Sequence, residues 1–242
     1  MVNENSIKHK KKKDGGEIII ISVGGSLVVP ENIDTSFLLS LKRCILGYVG
    51  QGKKFVLVIG GGDVCRKYQK AASKVSHISS TELDWLGIYS TYLNAQLIRT
   101  IFGKKTATKI LTDLSETVIF PKGKKIMIAG GWKPGCSTDY DTVMLARMLG
   151  SKKVINLSNI DFVCDKDPRE NPDAKSIKDI SWKDFRKMFN GKWNPGLNSP
   201  FDPVASKLAE KEGIEVAIIN GKKLAQFEHY LNNRSFKGTL IS

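Results

Sequence analysis

Residues 18–26 read IIIISVGGS, and this stretch sets the pattern for the rest of the chain. An apolar run typical of a strand buried on both faces passes directly into a glycine turn. The pattern recurs where residues 55–59 run into the glycines at 60–62, and where residues 126–129 run into those at 130–131. Glycine permits close approach to the main chain, and a turn that opens a helix favours a bound anion. We therefore expect a crevice that holds several phosphates; the alternative is three tight connections without a ligand.

Composition places the chain among ordinary globular proteins. Its 242 residues are 41% hydrophobic and 26% charged, enough to bury a full core. No apolar run approaches the length of a membrane span, and no secretory segment begins the sequence. These features predict a cytoplasmic protein without a membrane partner.

The formal net charge is +14, and part of it lies in one block, KHKKKK at residues 8–13. Such runs are usually solvated tails, so residues 1–14 are predicted to be a basic disordered tail. The other lysines are spread along the chain without a recognisable reading helix. A nucleic-acid partner is therefore not expected, whereas a basic surface would attract nucleotides. The four cysteines lack ligand spacing, so no metal site is predicted.

Strand-like and helical segments alternate along the chain, which favours a mostly parallel sheet between helices, a three-layer α/β/α sandwich. Strands are predicted at residues 18–23, 55–59, 117–120, 126–129, 154–157 and 215–219. Helices are predicted at residues 37–48, 63–72, 81–102, 139–149, 203–212 and 222–231, with Thr81 as a cap. Residues 165–198, which contain Pro168, Pro172 and Pro195, resemble an insertion or lid. The whole of residues 15–242 is predicted to be one domain.

Several motif matches fail on their context. Residues 47–53 fit the start of a P-loop pattern, but Lys54 stands where serine or threonine is needed, and the segment leads into a strand rather than a helix. No GxGxxG, HExxH or GxSxG occurs. What remains suits phosphoryl transfer, which depends on positioning and charge stabilisation.

A few polar residues lie beside the glycine turns. Arg66 follows the 60–62 turn within the first turn of its helix, where a guanidinium can grip phosphate oxygens. Ser137 and Thr138 either cap the next helix or contact a ligand. Asp139 and Asp202 are ordinary residues at helix starts.

Taken in order, these segments resemble a known family. The motifs are VGGS at 23–26, IGGGDVCRKY at 59–68, DWLGI at 84–88, GGWKPGCSTD at 130–139, NID at 159–161 with DP at 167–168, and FDP at 201–203. The series is similar to the amino acid kinase superfamily, and within it to the uridylate kinases of archaeal type. The similarity runs from about residue 17 to Gly238-Thr239.

The resemblance implies ATP-dependent phosphorylation of UMP to UDP with Mg²⁺, in a homo-oligomer that is often a hexamer. It implies an acceptor-binding part at about 15–150 and an ATP-binding part at about 151–242. Three residues would be catalytic: Arg66, Asp202 and Ser26. ATP would be bound by Gly25, Ser26, Gly62, Arg66, Ser158, Asn159, Cys164 and Asp167. UMP would be bound by Gly61, Asp84, Trp132, Lys133, Pro134, Gly135, Cys136, Ser137 and Thr138.

The chain departs from the superfamily pattern at three positions. Ser22 stands where many members carry a lysine, a change shared with the archaeal uridylate kinases. Phe162 replaces a glycine, and Cys164 replaces an aromatic residue whose stacking would contribute about 1 kcal/mol. Two alternatives stay open: another small-molecule kinase of the superfamily, or a nucleotide-binding protein without catalysis. An Asp84→Ala variant would distinguish the kinase alternatives, because this carboxylate would bind an acceptor that has a ribose and would matter little for one that has none.

Overall fold

The computed structural model describes residues 17–189 and 199–242. Apolar runs that suit doubly covered strands alternate with segments of helical spacing, and this alternation gives the order of the elements. They are β1 Ile18–Val23, α1 Gly25–Val28, α2 Thr35–Gly50, β2 Lys54–Ile59, α3 Gly62–Val75, α4 Ser80–Phe102, β3 Ile126–Ala129, α5 Thr138–Leu149, β4 Lys153–Ser158, β5 Val163–Cys164, β6 Ser176–Ile177, β7 Asp179–Ile180, α6 Trp182–Met188, α7 Pro203–Glu212, β8 Glu215–Asn220, α8 Leu224–Leu231 and β9 Thr239–Ile241.

Within the described residues, seven strands form one sheet in the order β3-β2-β1-β4-β8-β9-β7. The strands from β3 to β8 run parallel, whereas β9 is antiparallel to β8. Successive strands are added on one side of β1 as far as β3, and β4 then begins the other side. Ligands of such sheets bind outside the carboxyl ends of the strands at this switch point. The crevice between the ends of β1 and β4 is therefore the place to look for a site.

Helices cover both faces of the sheet. Ile19, Ile21 and Val23 of β1 pack into a core with α2, α4 and α8. Ile20 faces the other way, into a second core with α5, α6 and α7. The predicted three-layer α/β/α sandwich with a mostly parallel sheet is confirmed. Among the described residues, no helix combines the length and apolar character needed to cross a membrane.

Residues 117–120 do not form the predicted strand. The edge beside β3 is already occupied by Thr106 and Leu111, whose isolated bridges pair with Ile126 and Ala129. Val118 is buried and Ile119 is 77% exposed, so this alternation packs a loop onto the core without a ladder. The cap of α4 also differs from the prediction: the Ser79 hydroxyl, and not Thr81, accepts the Glu82 N–H at 3.2 Å.

The prediction of a lid at 165–198 is wrong for residues 179–188. β7 joins the sheet by pairing with β9, and α6 buries Trp182 and Phe185 in the core. The Trp182 ring lies 5.8 Å from that of Phe201, and this aromatic contact packs the segment against the core. Pro168 and Pro172 precede this short amphipathic element, and they led to the prediction of an insertion or lid. Residues 190–198, with Pro195, lie outside the described residues, as does the basic segment at 1–14.

Candidate active site

The turns that follow β1 and β2 meet backbone to backbone. A Cβ on Gly25 would lie 2.0 Å from the nitrogen of Gly62, and a Cβ on Gly60 would lie 2.6 Å from that of Gly25. Gly62 also has a φ of +65°, a region that favours glycine. Contact between the two turns therefore requires these glycines whether or not a ligand approaches them, a reason that the sequence pattern does not reveal.

Helix α4 holds the glycine turns through polar side chains on its inner face. The buried Asn94 amide donates to the carbonyl oxygens of Gly60 and Gly61 at 2.9 and 3.0 Å. In a trans peptide the C=O and the following N–H point in opposite directions. The N–H groups of Gly61 and Gly62 are thus directed away from α4. One turn earlier on the helix, the Thr91 hydroxyl accepts the Gly131 N–H at 2.7 Å.

Arg66 lies beside the first turn, on the exposed side of α3. Its Nη1 atom is 3.5 Å from the Ser26 Oγ, and its Nη2 atom is 3.5 Å from Asp63. Lys67 forms a closer ion pair with Asp63, at 2.8 Å. Asp63 thereby takes up part of the cationic charge, while the Arg66 side chain stays 57% exposed. An exposed guanidinium and a hydroxyl therefore stand together at the mouth of the crevice.

A partly buried carboxyl group, that of Asp139, lies beneath the switch point. Its Oδ1 accepts hydrogen bonds from the Ser22 hydroxyl at 3.2 Å and the Asn156 amide at 3.4 Å. Its Oδ2 accepts the backbone N–H of Asp202 at 3.2 Å. Burial, followed by the nearby charge of Asp202, raises the pKa of Asp139 to about 7. Asp139 thus links β1, β4, α5 and the start of α7.

Sequence reasoning missed this hub because aspartate is common at helix starts. A signal was available, however. Ser22 and Asn156 are polar residues within otherwise apolar strands, and they lie opposite each other in the β1–β4 register. Two buried polar residues in register need a polar partner between sheet and helix. Asp139 supplies that partner.

Asp202 and Ser137 both act as helix caps. The Asp202 carboxylate accepts the Ala205 N–H at 2.6 Å, and the Ser137 hydroxyl accepts the Tyr140 N–H at 3.1 Å. Burial raises the pKa of Asp202, and the Ser137 hydroxyl opposes that rise. The capping interpretation therefore holds for both residues, and it leaves each of them next to the crevice.

Residues 132–138, called here the 132–138 loop, cross in front of α4. The Asp84 carboxylate accepts the Gly135 N–H at 2.9 Å, so the two predicted acceptor elements touch. The Trp132 indole donates to Asp113 at 3.1 Å, and the Lys133 ammonium lies 4.0 Å from the centre of its ring. The other predicted acceptor residues of this loop are Pro134, Cys136, Ser137 and Thr138. Desolvation raises the pKa of the Cys136 thiol.

The predicted ATP-binding residues are less tightly gathered. Ser158 ends β4 beside Gly24, and Asn159 follows it in an exposed position. Cys164 lies in β5, which pairs with β6. Asp167 binds Arg169 within its own loop, at 2.6 Å between Oδ2 and Nη2, and this contact lowers the pKa of Asp167 to about 2. The structure therefore brings Ser158 and Asn159 to the crevice, while Asp167 is engaged locally.

Comparison with known proteins agrees with this architecture. The amino acid kinase family matches residues 17–220. A uridylate kinase of Sulfurisphaera tokodaii is 30% identical over 225 residues, or 92% of this chain and 98% of that protein. One from Pyrococcus abyssi is 33% identical over 206 residues, or 85% and 90%. The crystal structure of uridylate kinase from Archaeoglobus fulgidus superposes with a TM-score of 0.77 at 25% identity, covering 93% of this chain and all of that one.

Parallel α/β sheets bind ligands at the switch point, and glycine turns at that place suit phosphorylated ligands. This chain belongs to the amino acid kinase family. Its relatives in that family class it with the nucleoside monophosphate kinases. The UMP kinase of Ureaplasma parvum, at 19% identity and a TM-score of 0.75, supports the fold alone.

Proposed function

We propose that this chain transfers the γ-phosphoryl group of ATP to UMP, giving UDP and ADP. The observation that carries the proposal is the meeting of the 24–26 and 60–62 turns, with Arg66 beside Ser26, at the switch point of the sheet. Uridylate kinases that align with 85–92% of the chain support UMP as the acceptor. The reaction is an in-line attack by a UMP phosphate oxygen on the γ-phosphorus of ATP, and positioning dominates its catalysis.

The two substrates occupy opposite sides of the crevice in this proposal. Gly25, Ser26, Gly62 and Arg66 contact the transferred and donor phosphates, while Gly61 lies against the phosphate of UMP. Asp84 accepts hydrogen bonds from the ribose, and the 132–138 loop surrounds the uracil. Arg66 is free enough to follow the phosphoryl group, because its contacts with Ser26 and Asp63 are both long. Arg66 and Ser26 act in catalysis, together with Asp202.

On the donor side, Ser158 and Asn159 hold ATP at the end of β4, with Cys164 and Asp167 contributing from the segment that follows. Asp167 reaches the nucleotide only by loosening its ion pair with Arg169. The acceptor part at about 15–150 and the ATP part at about 151–242 then meet along the β1–β4 border.

Magnesium is proposed to arrive with ATP. The part of the chain that the structure describes has no group of three acidic, histidine or cysteine side chains arranged to hold a metal ion. The Asp139 carboxylate oxygens are already taken by three protein donors. We therefore propose that Mg²⁺ enters as part of the MgATP substrate. Asp202, next to the crevice, is proposed to organise the catalytic cations.

A coupled assay tests this function by offering MgATP with UMP, CMP, AMP or isopentenyl phosphate. We expect a kcat/KM for UMP at least tenfold above the others. An equal rate for all four acceptors would overturn the assignment of UMP. The Asp84→Ala variant should lose affinity for UMP and leave the KM for ATP unchanged, because only the acceptor has its ribose at Asp84. Binding of both nucleotides without turnover would overturn the catalytic assignment.

The enzyme is also proposed to be a homo-oligomer. Helix α3 buries none of its residues, and apolar side chains remain exposed on α3 and α4, including Tyr68, Val75, Tyr89 and Leu93. Large exposed apolar patches mark protein interfaces. Sedimentation of the full chain, compared with a Tyr68→Glu, Leu93→Glu variant, tests this; a monomeric wild type would exclude it.

A further inference from the structure

Asp141 is a buried carboxyl group to which the proposed reaction gives no task. It lies on the inner face of α5 with no exposed surface. Its Oδ2 accepts the backbone N–H of Trp132 at 3.0 Å. Its Oδ1 is the single buried side-chain oxygen or nitrogen without a hydrogen-bond partner in the described part of the chain. A buried polar atom of this kind calls for an explanation.

Stability does not explain the residue. Burying a carboxyl group with one oxygen unpaired is unfavourable, and an apolar side chain would suit a helix face where Leu145, one turn further along, is also buried. Desolvation raises the pKa of Asp141 to about 7, and the Trp132 N–H opposes that rise. Residues that break a local rule in this way are expected at functional positions.

The environment of Asp141 is mixed in charge. The titratable groups that face it come from α4, the 132–138 loop, α5 and the start of α7: Tyr92, Lys133, Cys136, Asp139, Tyr140 and Asp202. Lys133 is the cation among them, and it belongs to the same loop as Trp132. Among the described residues, the contact with Trp132 is the hydrogen bond by which the Asp141 side chain reaches this loop.

Three contacts, to the N–H groups of residues 131, 132 and 135, hold the first part of the loop. Thr91 holds the N–H of Gly131, Asp141 holds that of Trp132, and Asp84 holds that of Gly135. Two of these partners lie on α4, so Asp141 is the anchor that comes from the opposite side, on α5. Without it, the N–H of the peptide between Gly131 and Trp132 would lose its acceptor, and the two remaining contacts would both come from α4.

We propose that Asp141 is a positioning residue of the acceptor site. By holding the Trp132 N–H it sets the course of the 132–138 loop against Asp84, and with it the affinity for the nucleoside monophosphate. The inference rests on the proposed function for its consequence, an effect on the acceptor, while the anchor itself can be observed without any substrate.

The sequence offers a direct probe of the anchor. Gly131-Trp132 is the one glycine–tryptophan step in the chain. Protein labelled with carbonyl-¹³C glycine and ¹⁵N tryptophan therefore gives a single correlated amide signal, that of Trp132. Asp141→Asn keeps an acceptor oxygen at this position, and Asp141→Leu keeps the branching at Cγ but removes the acceptor. Thr142→Val is the matched control, because this buried neighbour bonds only to Thr138 in its own helix, at 2.6 Å.

We expect the Trp132 amide to shift upfield and exchange at least tenfold faster in Asp141→Leu, and to stay close to wild type in Asp141→Asn and Thr142→Val. In the assay, Asp141→Leu should raise the KM for UMP at least tenfold with the KM for ATP within twofold. Asp141→Asn should remain within threefold for both. An unchanged amide in Asp141→Leu, or an equal rise in both KM values, would overturn the inference. If the wild type does not use UMP, the proposed function fails, while the amide signal still decides whether Asp141 anchors the loop.

Discussion

Ser22 donates a hydrogen bond to Asp139 across 117 positions of sequence, at 3.2 Å between Oγ and Oδ1. The Ser22 hydroxyl therefore brings a neutral hydrogen-bond donor to this carboxyl group. Among the described residues, the Asp139 carboxyl group accepts hydrogen bonds from three uncharged donors: the Ser22 hydroxyl, the Asn156 amide and the Asp202 backbone N–H. Burial, followed by the nearby charge of Asp202, raises the pKa of Asp139, and the Ser22 hydroxyl is one of the donors that oppose this rise.

Replacing Ser22 by alanine tests this contact. Loss of one donor to a partly buried carboxyl group should lower the free energy of unfolding by about 1 kcal/mol and raise the pKa of Asp139 further, because the hydroxyl favours the ionised form. Urea unfolding at pH 8 measures the first effect. Ser90→Ala is the control, since the Ser90 hydroxyl is also buried but bonds to Leu86 in its own helix. Equal losses in the two variants would contradict a special role for Ser22.

The dependence of stability on pH follows from the raised pKa values of Asp139 and Asp141. Both rise from 3.8 to about 7 on folding, so the folded state binds more protons than the unfolded state between these values. The stabilisation is complete below pH 4 and is lost as the pH rises toward 7. Each group contributes on the order of a few kcal/mol.

The Asp141→Asn variant isolates one of these contributions, because an amide does not titrate. Its melting temperature relative to wild type should rise between pH 5 and pH 7.5, as the wild type loses the stabilisation that the variant never had. Calorimetry at several pH values measures this difference. A difference that stays constant over the same range would refute the raised pKa of Asp141.

Arg66 is expected to matter for activity and not for stability. Its guanidinium is 57% exposed and its contacts with Ser26 and Asp63 are 3.5 Å long, so Arg66→Ala should leave the melting temperature unchanged. Removing one charge-stabilising donor typically costs 10²–10³-fold in rate, and we expect a fall in kcat/KM of about that size. Lys70→Ala is the matched control, an exposed cation one turn further along α3. Comparable losses in both variants would point to general surface charge.

Gly25 is expected to tolerate no side chain. A Cβ there would meet the backbone of Gly60 and Gly62, which cannot move aside as a flexible side chain can. Gly25→Ala should therefore lower the melting temperature strongly or prevent folding. Gly47→Ala is the control, because a Cβ at Gly47 meets nothing within 4 Å and alanine favours the α2 helix by about 0.5–1 kcal/mol. A stable, active Gly25→Ala protein would show that the two turns can separate.

Much of the fold could be predicted from the sequence, because parallel strands covered on both faces are continuous apolar runs. The errors occurred where long-range contacts decide. Residues 117–120 have strand-like alternation, but the edge they would need is occupied by Thr106 and Leu111. The segment at 179–188 looked like a lid because the burial of Trp182 depends on Phe201, which follows later in the chain.

The candidate site divides in the same way. The glycine turns and Arg66 could be found from local pattern, since each follows a strand directly. Asp139 was interpreted as an ordinary residue at a helix start and Asp141 was not singled out, because their contacts with Ser22 and Trp132 depend on how α5 packs against the sheet. The roles of the predicted substrate-binding residues remain predictions, to be tested by the variants above.

Helix α4 touches the 132–138 loop at Asp84 and the 60–62 turn at Asn94. These residues are ten positions apart, and at 1.5 Å per residue they lie about 15 Å apart along the axis. In the proposed acceptor site, one rigid helix therefore connects the residue expected at the ribose with the turn expected at the phosphate. A helix does not stretch, so the proposed site would select acceptors by their length.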